Sequence, residues 1–179
     1  MSNAAFGGPT MSNAASRGFI SDDSNLVGQE SKIPFLTKAV GPTGEKLKVF
    51  QFPTDHSMGL LIDQGKVRDT GLQARGQVII PANKRLRLQV SPFLTIHPSY
   101  FRRFGPDDVA EIAMINNEGV TNETLNYMDH LAGLIDLTVF ETNVNDDCIP
   151  TLDALTGLDT LNVSNTNITG CLLYTSRCV

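Results

Sequence analysis

Residues Asp55, His56 and Ser57, consecutive in "PTDHSM", carry the side-chain types of an acyl-transfer triad. A triad works because a carboxylate, an imidazole and a hydroxyl converge from separate parts of a fold, each within hydrogen-bond reach of the next. Three adjacent residues cannot all achieve that, so the stretch reads as a turn. "GPTGEK", residues 41–46, has the glycines and the lysine of a phosphate-cradling loop. It lacks the GxxxxGKS/T spacing and the following helix whose N-terminal amides would hold the anion. His56, His97 and His130 are scattered, none at metal-ligand spacing with a cysteine or carboxylate. Asp146 and Asp147 have no calcium-loop spacing of oxygen donors around them and suit solvated cap positions. No catalytic residue, cofactor or metal site is expected, and the chain does not read as an enzyme.

Charge and composition bound the partners. Nineteen acidic against 14 basic side chains leave a net charge of −5, which argues against nucleic acid or an anionic membrane. Two basic clusters, Lys84, Arg85 and Arg87 and then Arg102 and Arg103 in "YFRRFG", are small. They read as a solvated strand face and a packed linker. No run approaches the roughly 20 apolar residues of a membrane span. The N-terminus has neither the basic region nor the apolar run of a signal peptide, so a cytoplasmic location is expected. Sequons at Asn122, Asn162 and Asn167 are expected to be silent there.

With 41% hydrophobic residues, the 179-residue chain can build one ordinary domain or two small ones. Residues 1–31, where "MSNAA" occurs twice among Ser, Asn, Ala and Gly, cannot bury enough apolar surface to offset their ordering entropy. They are expected to be disordered. Residues 32–98 read as a small β-rich region. The runs "KLKVFQF", "MGLLID", "GQVII" and "RLRLQV" are strand-like and separated by turn-forming stretches. In the last, Leu86, Leu88 and Val90 alternate with Arg85, Arg87 and Gln89, as in a half-buried strand. A little sheet or sandwich is expected over 46–90, and Phe50 and Phe52 would be its thin aromatic platform for a small ligand.

Residues 99–170 repeat. "LIDLTVFETNVNDDCIPTLDALTG" starts at Leu134, and "LDTLNVSNTNITG" starts 24 positions later at Leu158. The step matches Leu137 with Leu161, Val139 with Val163, Thr142 with Thr166 and Val144 with Ile168. Upstream, Val109, Ile112 and Met114 precede their counterparts by 25 positions, and Val120 to Leu134 align with Val144 to Leu158, Gly133 on Gly157 included. The spacing predicts strands around 111–115, 136–140 and 160–164. It also predicts return arms that carry Leu125 and Ile149, Met128 and Leu152, and Leu131 and Leu155 inward. Asn145 or Asp146 suits an N-cap, and Pro150 suits a late or partly 3₁₀ helical start.

This pattern resembles the leucine-rich repeat family, with Thr142 and Thr166 where that family usually has Asn. The resemblance implies an α/β leucine-rich repeat solenoid of about three repeats, with short parallel strands and helical or irregular return arms, preceded by the small β unit. With Ile112, Met114, Leu137, Val139, Leu161 and Val163 inward, their neighbours would line a concave face. Glu111, Asp136 and Thr160 form one row, Ala113, Thr138 and Asn162 a second, and Ile115, Phe140 and Ser164 a third. Solenoids use such faces for binding, and Ile115 beside Phe140 is an apolar pair on a face that should be wet. A protein partner is expected there. The alternative is a substrate-recruiting region of a larger enzyme or ligase whose catalytic part lies beyond the C-terminus.

The last nine residues, 171–179 ("CLLYTSRCV"), leave the repeat register. Codons for them, followed by a stop, can be chosen to form a perfect inverted repeat similar to the paired transposon ends used to build sequencing libraries. The tail therefore reads as an adapter artefact on a fragment. Cys171 and Cys178 fall within it, which leaves Cys148 as a single small buried residue.

Overall fold

Alternating burial marks the strands Gln77–Pro81, Leu86–Val90 and Asp136–Asn143. The computed structural model describes residues 33–64 and 71–169. The expected disordered segment 1–31 and the tail 171–179 lie outside them. In chain order the elements are β1 (Leu36–Val40), β2 (Lys46–Gln51), β3 (Gly59–Asp63), β4 (Leu72–Gln73), β5 (Gln77–Pro81) and β6 (Leu86–Val90). Then come α1 (Pro92–Ile96), a 3₁₀ turn (Pro98–Arg103), β7 (Glu111–Thr121), α2 (Asn122–Asn126) and β8 (Asp136–Asn143). A second 3₁₀ turn (Asp146–Cys148), α3 (Ile149–Ala154) and β9 (Thr160–Asn162) complete the set.

Two sheets result, not a solenoid. One has three antiparallel strands in the order β1-β2-β5; the other has six in the order β4-β3-β6-β7-β8-β9. The sequence leads one to expect the strands of 46–90 to form a unit of their own, and they do not. They divide, β2 and β5 going to the first sheet and β3 and β6 to the second. β6 is the seam. It pairs antiparallel with β3 through Leu88↔Leu61 and parallel with β7 through Leu88↔Ile112. The periodic segment supplies β7, β8 and β9, in parallel through Glu111↔Asp136↔Thr160 and Ile112↔Leu137↔Leu161. Three parallel strands added to an antiparallel half make a mixed sheet, and the helices between them are only five or six residues long.

One apolar core runs from Phe35 to Leu158. Ile112, Met114, Leu137 and Val139 are at most 1% exposed on the inner face of the large sheet. Leu125, Met128 and Leu131, then Leu152 and Leu155, close over them from the return arms. Phe35 and Phe104, with ring centroids 4.9 Å apart, and Phe52, 4.9 Å from Phe35, join the small sheet to the segment before β7. Phe50 and Phe52 stack at 5.4 Å and are buried, so they are core and not a ligand platform. Burying each such ring stabilises the fold by roughly 1.5–3 kcal/mol.

Polar residues finish the element ends. Ser91 caps α1, its hydroxyl accepting from the Leu94 amide at 3.3 Å ahead of Pro92. Asn145 accepts from the Asp147 amide at 2.9 Å, and the turn it caps is 3₁₀ before Pro150 enters α3. Thr142 and Thr166 each donate to the carbonyl three residues back, Val139 at 2.9 Å and Val163 at 2.7 Å. Asp108 accepts from the Gly105 amide at 2.6 Å, and burial, the largest influence on it, raises its carboxyl above the ordinary aspartate range. A carboxyl raised in the folded state favours folding most when protonated, and that contribution is lost as pH rises through its folded value. Asp108→Asn, which keeps an acceptor for Gly105, should therefore melt slightly above wild type at pH 7. The gap should close as pH falls below the ordinary aspartate range. A melting-temperature series from pH 7 to 3 checks this; a constant or widening gap would refute it.

Candidate docking face on the six-stranded sheet

Strand alternation and ladder register build the outer face of the large sheet. One row crosses all six strands, Gln73–Leu60–Gln89–Ala113–Thr138–Asn162. A second runs Ile62–Arg87–Glu111–Asp136–Thr160. In a third, Ile115 stands directly opposite Phe140. The first two expected rows and the Ile115–Phe140 pair of the third are in register, and Gln73, Leu60, Ile62, Arg87 and Gln89 extend them. The alternation of Arg87 and Gln89 with Leu86 and Leu88 was the available signal for the last two.

The expected residues differ in accessibility. Ile115 is 42% exposed, and Asp136, Thr138, Phe140 and Asn162 are half-buried. Thr160 and Ser164 are exposed. Ala113 is buried, because a single methyl between Gln89 and Thr138 does not reach past its neighbours. The Glu111 carboxylate is already engaged, by Arg85 at 3.5 Å and by the Gln64 amide at 2.8 Å. Ser164 lies past the end of β9, and its carbonyl accepts from the Glu141 amide at 3.1 Å.

One left-handed residue follows each position of the third row: Asn116 (φ 53°) within β7, Glu141 (φ 54°) within β8 and Asn165 (φ 56°) after β9. Asn adopts that conformation readily and glutamate does not. Asn165 donates to the Glu141 carboxylate at 3.2 Å, which ties consecutive turns together. Beneath them, Asn122 and Asn145 exchange hydrogen bonds, and Thr169 donates its amide and hydroxyl to Asp146 at 2.8 and 2.7 Å. Asp146 is thus a clamp on the following turn.

Comparison with protein-family models, curated proteins and solved structures finds no match.

Elsewhere the chemistry-bearing residues are spent locally. His56 pairs with Asp55 at 2.8 Å and stacks on Phe93, while the Ser57 hydroxyl lies within hydrogen-bond reach of the Gly59 carbonyl and the Gln73 side chain. Residues 41–45 form the β1–β2 hairpin turn, with the Glu45 carboxylate held by Thr43, whose hydrogen bond lowers the Glu45 pKa. Lys84 pairs with Asp63, Arg102 with Asp129, and Arg103 lies 4.1 Å over the Phe35 ring. Burial pushes the Cys148 thiol up to about 11, so it stays protonated at neutral pH and is a poor nucleophile. Among the described residues no group of His, Cys, Asp and Glu could hold a metal ion, and no helix is long and apolar enough to cross a membrane.

Proposed function

We propose that the outer face of β7–β9 docks a protein partner, with Ile115 and Phe140 as its apolar anchor. The observation that carries this reading is the opposition of a 42%-exposed Ile115 to Phe140 across a parallel ladder whose inner face is fully buried. A rigid sheet presents such a pair at little entropic cost, and polar Thr138, Asn162 and Asp136 rim it. Anchors of this type contribute about 2 kcal/mol or more to binding, roughly 30-fold in affinity.

The test places a photoreactive side chain at Thr138, with Thr37 on the small sheet as control. A discrete adduct from position 138, absent from position 37, is expected. Phe140→Ala should reduce its yield by at least tenfold while the chain stays folded. Equal adducts at both positions, or a yield indifferent to Phe140, would remove the assignment.

A further inference from the structure

The β1–β2 hairpin gathers charge of one sign. Its register sets Lys38 directly opposite Lys48 and Val40 opposite Lys46, so all three lysines share one face of the small sheet. Like charges directly opposed across a ladder destabilise it. Among the described residues, no carboxylate pairs with any of the three ammonium groups. Lys48 is held by two uncharged acceptors, the carbonyls of Asp107 at 3.3 Å and Asp108 at 3.2 Å. Two carboxylates are close by, and Lys48 and Lys38 act on the Asp108 charge through space. Asp108 binds the Gly105 amide, and Asp107 lies against Gly133.

These lysines line a cavity of about 770 Å³ together with Asp107, Asp108 and the aliphatic residues Leu36, Val40, Leu47 and Pro106. Val40 is 72% exposed, a large apolar surface left to water beside the charges. The volume lies within the range of small-molecule sites, which combine an apolar wall with a few convergent polar groups. Cations clustered beside an aliphatic trough match one ligand chemistry, an anionic head on an aliphatic body.

We propose that this cavity binds an amphipathic anion, a carboxylate or phosphate monoester carried on an aliphatic chain. Lys38 and Lys46 grip the head, and Leu36 and Val40, on the same face, receive the chain. Charge-assisted hydrogen bonds are the strong ones and depend on the anion, while the chain contributes by leaving water.

The test titrates the full-length chain at low salt with decanoate, decyl phosphate, decanol and inorganic phosphate, by calorimetry and amide chemical shifts. Saturable binding of decanoate and decyl phosphate is expected, with shifts at Lys38, Val40, Lys46 and Lys48. Inorganic phosphate should bind at least tenfold more weakly than decyl phosphate. The double variant Lys38→Gln, Lys46→Gln should bind decanoate at least tenfold more weakly. Both side chains are exposed, and Lys38→Gln removes the like charge opposite Lys48, so that variant should fold as well as wild type. No saturable binding, decanol binding as tightly as decanoate, or undiminished binding by the variant each overturns the proposal. Phosphatidylglycerol vesicles distinguish the ligand's source. Vesicle binding displaced by decanoate assigns the pocket to a lipid headgroup, and decanoate binding without vesicle binding assigns it to a free amphiphile. Vesicle binding insensitive to both decanoate and the lysines refutes the site.

Discussion

Leu88→Ala is expected to destabilise the whole protein in one step, by about 2–5 kcal/mol. Leu88 is fully buried in β6 and paired on one side with Leu61 and on the other with Ile112, which are themselves 1% and 0% exposed. Truncation removes contacts from the antiparallel and the parallel half of the large sheet at once, and neither half can collapse into the void without shifting the other. With a total stability of roughly 5–15 kcal/mol for an ordinary domain, the variant should be near its limit at physiological temperature. Hydrogen exchange read at β3 and at β8 is the decisive measurement. Protection should fall equally in both. If β8 kept wild-type protection while β3 lost it, the two halves would be separate cooperative units and the continuous sheet would be wrong.

Gly59→Ala should be nearly as damaging, for a local reason. Gly59 opens β3 at φ +144°, a region essentially reserved for glycine, and a methyl there would collide with the Gln89 carbonyl on β6. Its own carbonyl accepts from the Ala74 amide at 2.9 Å, and the next strand pair begins at Gly59↔Val90. Backbone strain of about 1–3 kcal/mol, with the collision added, should lower the melting temperature by on the order of 10 °C in a chain this size. Gly76→Ala is the control. Gly76 also has a positive φ, +61°, but an added methyl would meet only Thr54, at 3.9 Å. Its cost should be about 1 kcal/mol. Equal losses in the two variants would show that the approach of the Gln89 carbonyl to Gly59 is absent.

How far the sequence reveals this structure depends on which interactions are local. Strands β2, β3, β5 and β6 are legible because alternation is a property of neighbouring residues, and the Leu137/Leu161 and Val139/Val163 matches place β8 and β9 opposite each other. Which strands share a sheet is not local. Nothing in "GLLID" or "QVIIP" says that the first joins β6 and the second β2, because both expose apolar patterns that suit either neighbour. The 24- to 25-residue period suggested a uniform stack; β6 extends it, each of its pairs with β7 lying 24 positions apart, but β3 then joins β6 antiparallel and makes the sheet mixed. The outer rows were legible as a face because side chains alternate on any strand. That Ala113 is buried and Glu111 paired depends on Gln89, Arg85 and Gln64, which come from strands or turns assigned elsewhere by local pattern.

Phe35 carries a consequence for the order of assembly. The sheet strands pair across modest separations, but the aromatic clasp around Phe35 joins the chain's early residues to the segment before β7. The Arg103 guanidinium donates to the Ile33 carbonyl across 70 positions, and the Phe35 amide donates to the Arg103 carbonyl at 2.8 Å. Contacts that close so long a loop form late, once nearer pairings have reduced its entropy. Folding should therefore build the large sheet first and latch the small sheet onto it last. In unfolding the order reverses, and release of the Phe35 clasp is the first opening through which solvent reaches the core.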